Sequence, residues 1–152
     1  MNQEELKNQT KAFSLRIIRL ADAVPPTKSG EAIARQIIRS GTSVGANYRS
    51  ACKAKSDRDF LNKMVIIEEE ADETQYWLEL LQESGLMKSE LVESLLQESK
   101  ELTAIFTASG RMVRERIQTA TISKGANGKI AESFAPYNSE FEIRNSESFD
   151  LK

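Results

Sequence analysis

SDRDFLNKMVIIEEEADETQYWLELL, residues 56–81, carries an unbroken helical stripe. Phe60, Met64, Ile67, Ala71, Thr74, Leu78 and Leu81 follow one another at steps of four and three. That spacing puts all of them on one face of an α-helix, in the manner of a coiled-coil seam. Ser56 suits an N-cap, and Asp57 and Asp59 suit the positive end of the helix dipole. Gly85 is expected to close the helix in a left-handed conformation, with Leu86 packing back on Leu81.

The flanking segments repeat the pattern. Downstream, Val92, Leu95, Ser99, Leu102, Phe106, Ser109 and Val113 make a second seam, with Ser89 as its expected cap. Arg111, Arg114 and Arg116 suit its C-terminal end. Upstream, Leu6, Phe13, Ile17, Leu20 and Val24 share one face of a helix over roughly residues 3–23. Pro25-Pro26 stops that helix, because proline lacks the backbone donor and disfavours helix in the residue before it.

The remaining helix is less plain. Thr27 or Ser29 can cap it, and Ala34, Ile37, Gly41, Val44, Tyr48 and Ala51 alternate three and four. Ser40-Gly41-Thr42-Ser43 and Gly45-Ala46 resemble loop residues, and each glycine costs about 1 kcal/mol inside a helix. The period continues through them, so one helix to about residue 55 is expected, with small side chains that let a neighbour approach closely. Four helices with short turns imply an all-α, antiparallel up-down four-helix bundle over residues 1–119. Residues 120–152 lose the period and are expected to form a flexible, largely disordered tail. Phe134, Tyr137, Phe141, Ile143 and Phe149 give that tail a means of docking.

Composition excludes several functions. Histidine is absent, which removes imidazole acid–base catalysis, Ser-His-Asp triads and His-ligated metals. The single Cys52 makes no intrachain disulfide and fits a reducing compartment; a buried, inert thiol is its plainer reading. No apolar run is long enough to span a membrane, and the first residues lack the pattern of a secretory leader. A cytoplasmic protein without cofactor or resident metal is expected.

Charge is strongly partitioned. Residues 31–63 hold seven Lys/Arg against three Asp/Glu, whereas residues 64–101 hold two against eleven. Arg35, Arg39, Arg49 and Lys53 lie on one stripe of the second helix, with Lys55 and Arg58 near its end. Two readings stand for the stripe. It is a ridge contacting nucleic-acid phosphates, for which arginine's planar fork is suited, or it is a solvated face paired with the acidic third helix. The opposite charge close by favours the second. Glu69 and Glu73 fall opposite the apolar seam, so the Glu68–Glu73 run reads as a solvated face rather than a metal cluster. Glu68 and Asp72 flank the seam and suit ion pairs within or between subunits, while Tyr76 and Trp77 suit a core edge or an oligomer interface. Asn47 is expected to fix helix register through a buried hydrogen bond.

The run RQIIRSGTSVGANYRSACKAKS at 35–56, with DFLNK at 59–63 and EADETQYWL at 70–78, resembles the four-helix-bundle family of 23S rRNA intervening-sequence proteins. The resemblance covers roughly residues 5–118. It implies a left-handed bundle assembled into a ring, a homopentamer, with no enzymatic activity. Some members are encoded within insertions in 23S rRNA genes. A similar bundle is the accessory protein of diversity-generating retroelements, whose basic pentamer binds nucleic acid and a reverse transcriptase. The present chain departs from it in being acidic overall, with a pI near 5.4. Two functions follow as expectations: a non-enzymatic oligomer that binds RNA or another nucleic acid through the second helix, or an assembly module that holds a protein partner.

Overall fold

The computed structural model describes residues 2–127. The stripe at 56–81 forms α3 (Asp57–Glu83), flanked by α1 (Gln3–Ala23), α2 (Lys28–Ala51) and α4 (Ser89–Asn127). Successive helices pack on one another, α3 most extensively against both neighbours, and α4 closes more lightly on α1. The result is a four-helix bundle, and no strand occurs among the described residues.

Local chemistry sets the boundaries. Asn2 and Glu5 form a capping box, each side chain accepting from the other's backbone N–H at 2.8 Å. Val24, before the double proline, is extended. Thr27 rather than Ser29 caps α2, accepting from Gly30 N at 3.0 Å. Ser56 caps α3 and accepts from Asp59 N at 3.1 Å. Ser89 is the first residue of α4 rather than a cap outside it. Gly85 has φ +71°, and Leu86 packs against the core beyond it.

The core follows the seams. All seven positions of the α3 stripe and all seven of the α4 stripe are buried, as are Ile37, Gly41, Val44, Tyr48 and Ala51 of α2. Each fully buried Ile, Leu, Phe or Met side chain contributes on the order of 1.5–3 kcal/mol. The glycines lie within α2, and close packing explains them. A Cβ on Gly41 would stand 2.9 Å from two carbons of Ile17, and one on Gly45 would stand 3.2 Å from the Thr10 carbonyl oxygen. The α1 and α2 backbones approach closely there.

Several expectations are corrected. The second helix ends at Ala51, not near 55: Lys53 N bonds Ser50 O and Ala54 N bonds Ala51 O in tight turns that free Ser56 to cap α3. Ala34 is only half-buried, whereas Thr10, Ser40 and Gly45 are buried outside the expected seams. Asn47 does not fix register across helices; its Nδ2 donates to Ser43 O in its own helix at 2.9 Å. That role falls to hydroxyls: Thr74 Oγ1 and Ser40 Oγ lie 2.9 Å apart between α3 and α2, and Ser99 Oγ of α4 donates to Ala71 O at 3.0 Å. The last helix also continues to Asn127, through the start of the expected tail. The expected disorder and docking of the remaining tail lie outside the described residues.

Candidate nucleic-acid interface

The helix arrangement divides charge between two hairpins. Residues 2–56, which hold α1 and α2, carry ten Lys/Arg against four Asp/Glu. Residues 57–123, which hold most of α3 and α4, carry seven against fourteen. One side of the bundle is therefore basic and the other acidic, a field that steers charged partners.

The α2 stripe does not act as one ridge. Arg39 is drawn onto α3, where its Nη2 bonds Glu73 and its Nη1 lies 3.4 Å from Glu70 Oε2. Glu73 also accepts from the Trp77 indole N–H at 2.9 Å. These two donors hold the Glu73 carboxyl below its ordinary range. Glu70 shifts the other way, because burial outweighs its longer contact with Arg39. Glu73 is therefore not on a face turned away from the bundle. It is half-buried and looks toward α2, because α3 has a neighbour on either side.

The other stripe residues are exposed. Arg35 is about 21 Å along α2 from Arg49, too far to share one short ligand segment with it. Lys55 and Arg58 are exposed around the α2–α3 turn. Arg49 and Lys53 line the α2 wall of a groove of about 730 Å³ that runs over the close α1–α2 contact. Lys7 and Lys11 line its other wall, and Glu4 is the one carboxylate beside them. Glu4 pairs with Lys7 at 3.3 Å. Thr10, Ser14, Gly45 and Ala46 are small enough to leave the groove open, and Asn8 adds an amide. Cys52 borders it, half-buried, with its thiol pushed up by desolvation. It is a poor nucleophile in this setting. Chemically, the groove offers four cations and several neutral hydrogen-bonding groups to a polyanion. Lys7 and Lys11 were missed by reading α2 alone; an i, i+4 basic pair at Lys7 and Lys11 was the signal in the sequence.

The remaining candidates lie on α3. Glu68 is engaged by α4 rather than by an arginine, accepting from Thr107 Oγ1 at 2.6 Å. Asp72 is exposed beside a shallow groove between α3 and α4 that also includes Lys100, Ala104, Ala108 and Arg111. Tyr76 is 54% exposed, and its ring meets Trp77 edge-on at 5.1 Å between centroids. Trp77 itself is half-buried against the core. Among the described residues, no group of three or more Cys, Asp and Glu is arranged to hold a metal ion, and no helix is long and apolar enough to cross a membrane.

These features define an all-α bundle with one basic and one acidic flank. The family model for the 23S rRNA-intervening sequence protein matches residues 3–108, and the chain belongs to that family. A crystal structure of a protein of unknown function from the S23 ribosomal protein family of Bacteroides thetaiotaomicron is 36% identical. It superposes with a TM-score of 0.68 over 73% of this chain and 99% of that one. No curated protein gives a significant match.

Proposed function

We propose that this protein is a non-enzymatic, cytoplasmic homo-oligomer, a pentamer, that binds the phosphate backbone of RNA or another nucleic acid through its α1–α2 flank. One observation carries this reading. Lys7, Lys11, Arg49 and Lys53 converge on one open groove with Glu4 as their sole acidic neighbour among its lining residues. Four cations around one groove serve backbone contact, which needs no base-specific geometry. Ring symmetry would repeat the groove and raise avidity. Lys55 and Arg58 extend the basic surface at the turn, whereas Arg39 contributes less because Glu70 and Glu73 already hold it.

The test is fluorescence anisotropy with labelled structured RNA and single-stranded DNA. Affinity is expected to fall with salt at a log–log slope of about −3 to −4 for four phosphates. Charge reversal at Lys7, Lys11 and Lys53 should abolish low-salt binding, and Arg39→Glu should affect it far less. Equal loss in both variants would return the ridge reading. Absence of binding at about 50 mM salt would defeat the proposal. Sedimentation of the native chain tests the pentamer.

A second reading has its own observation. Exposed Tyr76, edge-on to Trp77 and beside the acidic flank, suits a protein interface, where aromatic residues concentrate. Under that reading the module holds a protein partner or its own copies through Tyr76, Trp77, Glu68 and Asp72. Tyr76→Ala would then lower the subunit number or release the partner while leaving the melting temperature unchanged.

A further inference from the structure

The groove described above opens at the end of the bundle from which the rest of the chain departs. Arg116 of α4 pairs with Asp57 at 3.0 Å, which sets α4 level with the α2–α3 turn and hence with Lys53. From Arg116, α4 continues eleven residues to Asn127, about 16 Å further. Beyond it the sequence at 138–150 reads NSEFEIRNSESFD. Glu140, Glu142, Glu147 and Asp150 stand there against the lone cation Arg144, with Phe141, Ile143 and Phe149 between them. Asn127 and Glu140 are thirteen positions apart, a reach of up to about 43 Å when extended. That exceeds what is needed to return past the helix end and lie between α1 and α2.

We propose that the acidic segment 138–150 of the same chain seats in the basic groove and competes there with nucleic-acid phosphates. The inference rests on the groove's being the polyanion site. Charge complementarity identifies the occupant: four carboxylates at 138–150 meet Lys7, Lys11, Arg49 and Lys53. Tethering gives the segment an effective concentration in the millimolar range, so weak individual contacts suffice. Most of the bundle's acidic residues lie on α3 and α4 and are fixed there. The 138–150 segment is the acidic stretch whose attachment point lies at the groove end. A segment seated nine-tenths of the time would weaken apparent polyanion affinity about tenfold. The protein would then need about tenfold more polyanion for half-occupancy, and any change that removes the tail's charge would lower that concentration.

Two measurements on the full chain decide this. A carbodiimide joins lysine amines to carboxylates in direct contact, and peptide mass spectrometry locates the products. Mixing ¹⁴N and ¹⁵N chains separates links within one chain from links between copies. Glu140 and Glu142 are expected to link to Lys7, Lys11 or Lys53 of their own chain, and the links should fade at high salt. Absent links, links spread over Lys63, Lys88 and Lys100, or links only between copies would overturn the proposal. The second measurement compares single-stranded DNA affinity of the native chain with the variant Glu140→Gln, Glu142→Gln, Glu147→Gln, Asp150→Asn. An increase of about tenfold is expected; equal affinity would overturn it. If neither chain binds DNA, the nucleic-acid function fails, and the crosslinks still decide where the segment sits.

Discussion

The two hairpins of this bundle solve the same packing problem with different chemistry. In α1–α2 the backbones are drawn together by glycine: Gly41 abuts Ile17, and Gly45 abuts the Thr10 carbonyl. In α3–α4 polar side chains bridge the helices alongside the apolar seams. Ser99 donates to Ala71 O, Gln75 to Thr103 and Thr107 to Glu68. Glycine contacts fail when volume is added, whereas hydrogen-bonded contacts fail when a donor is removed. The flanks differ in charge as well, so one hairpin offers cations to a ligand while the other holds the carboxylates that restrain Arg39.

The sharpest way to break this comparison is volume. Gly41→Leu should destabilise the bundle by about 1–3 kcal/mol or more, because Ile17 is fully buried and has nowhere to move. Urea unfolding and sedimentation check it; unchanged stability and mass would remove the glycine contact from the account. A smaller loss, about 1 kcal/mol, is expected for Ser99→Ala, which deletes the α4–α3 hydrogen bond without adding volume. The same denaturation measurement serves, and a loss as large as that of Gly41→Leu would erase the distinction between the hairpins.

The smallest effect is electrostatic and shows as a pH dependence. The folded-state value of Glu73 is depressed, so its stabilisation is present above the ordinary value of 4.5 and is lost as pH falls through the folded value. That of Glu70 is raised, so its ionised form opposes folding at neutral pH, and protonation relieves this as pH falls. Glu73→Gln should therefore flatten the acid-side fall in melting temperature, and Glu70→Gln should steepen it. Melting curves from neutrality down to about pH 3 read both. Identical slopes would mean that Arg39 does not distinguish the two carboxylates. Both sites are partly exposed, so solvent screening keeps the shifts small.

Much of the architecture is legible in the sequence alone. The four-three steps from Phe60 to Leu81 and from Val92 to Val113 placed every seam residue of α3 and α4 in the core. Thr10 was not legible, because threonine reads as polar. Its hydroxyl turns back onto Leu6 O at 2.9 Å, which lets the side chain be buried. Ser40 and Gly45 were missed because a single stripe is the signature of a helix with one neighbour. With α1 and α3 on either side, α2 buries a wider arc. Helix α4 runs beyond the expected residue 119 because loss of the apolar period is not loss of helix. Backbone hydrogen bonding continues past the last core residue, where Ile122 is 75% exposed.

The sequence by itself determined the helices, their caps and the faces they bury, because capping and 3.6-residue periodicity act within a few residues of chain. It also determined that charge divides between the two halves of the bundle. Which charges meet was decided only by the tertiary structure. Arg39 and Glu73 are separated by 34 positions, and Lys7 and Arg49 by 42. Folding turned the first pair into an ion pair that restrains the arginine. It placed the second pair at one open groove, two like charges with Glu4 as the one carboxylate beside them. Coulomb interactions depend on distance through space and on burial, and neither is encoded in the spacing along one helix.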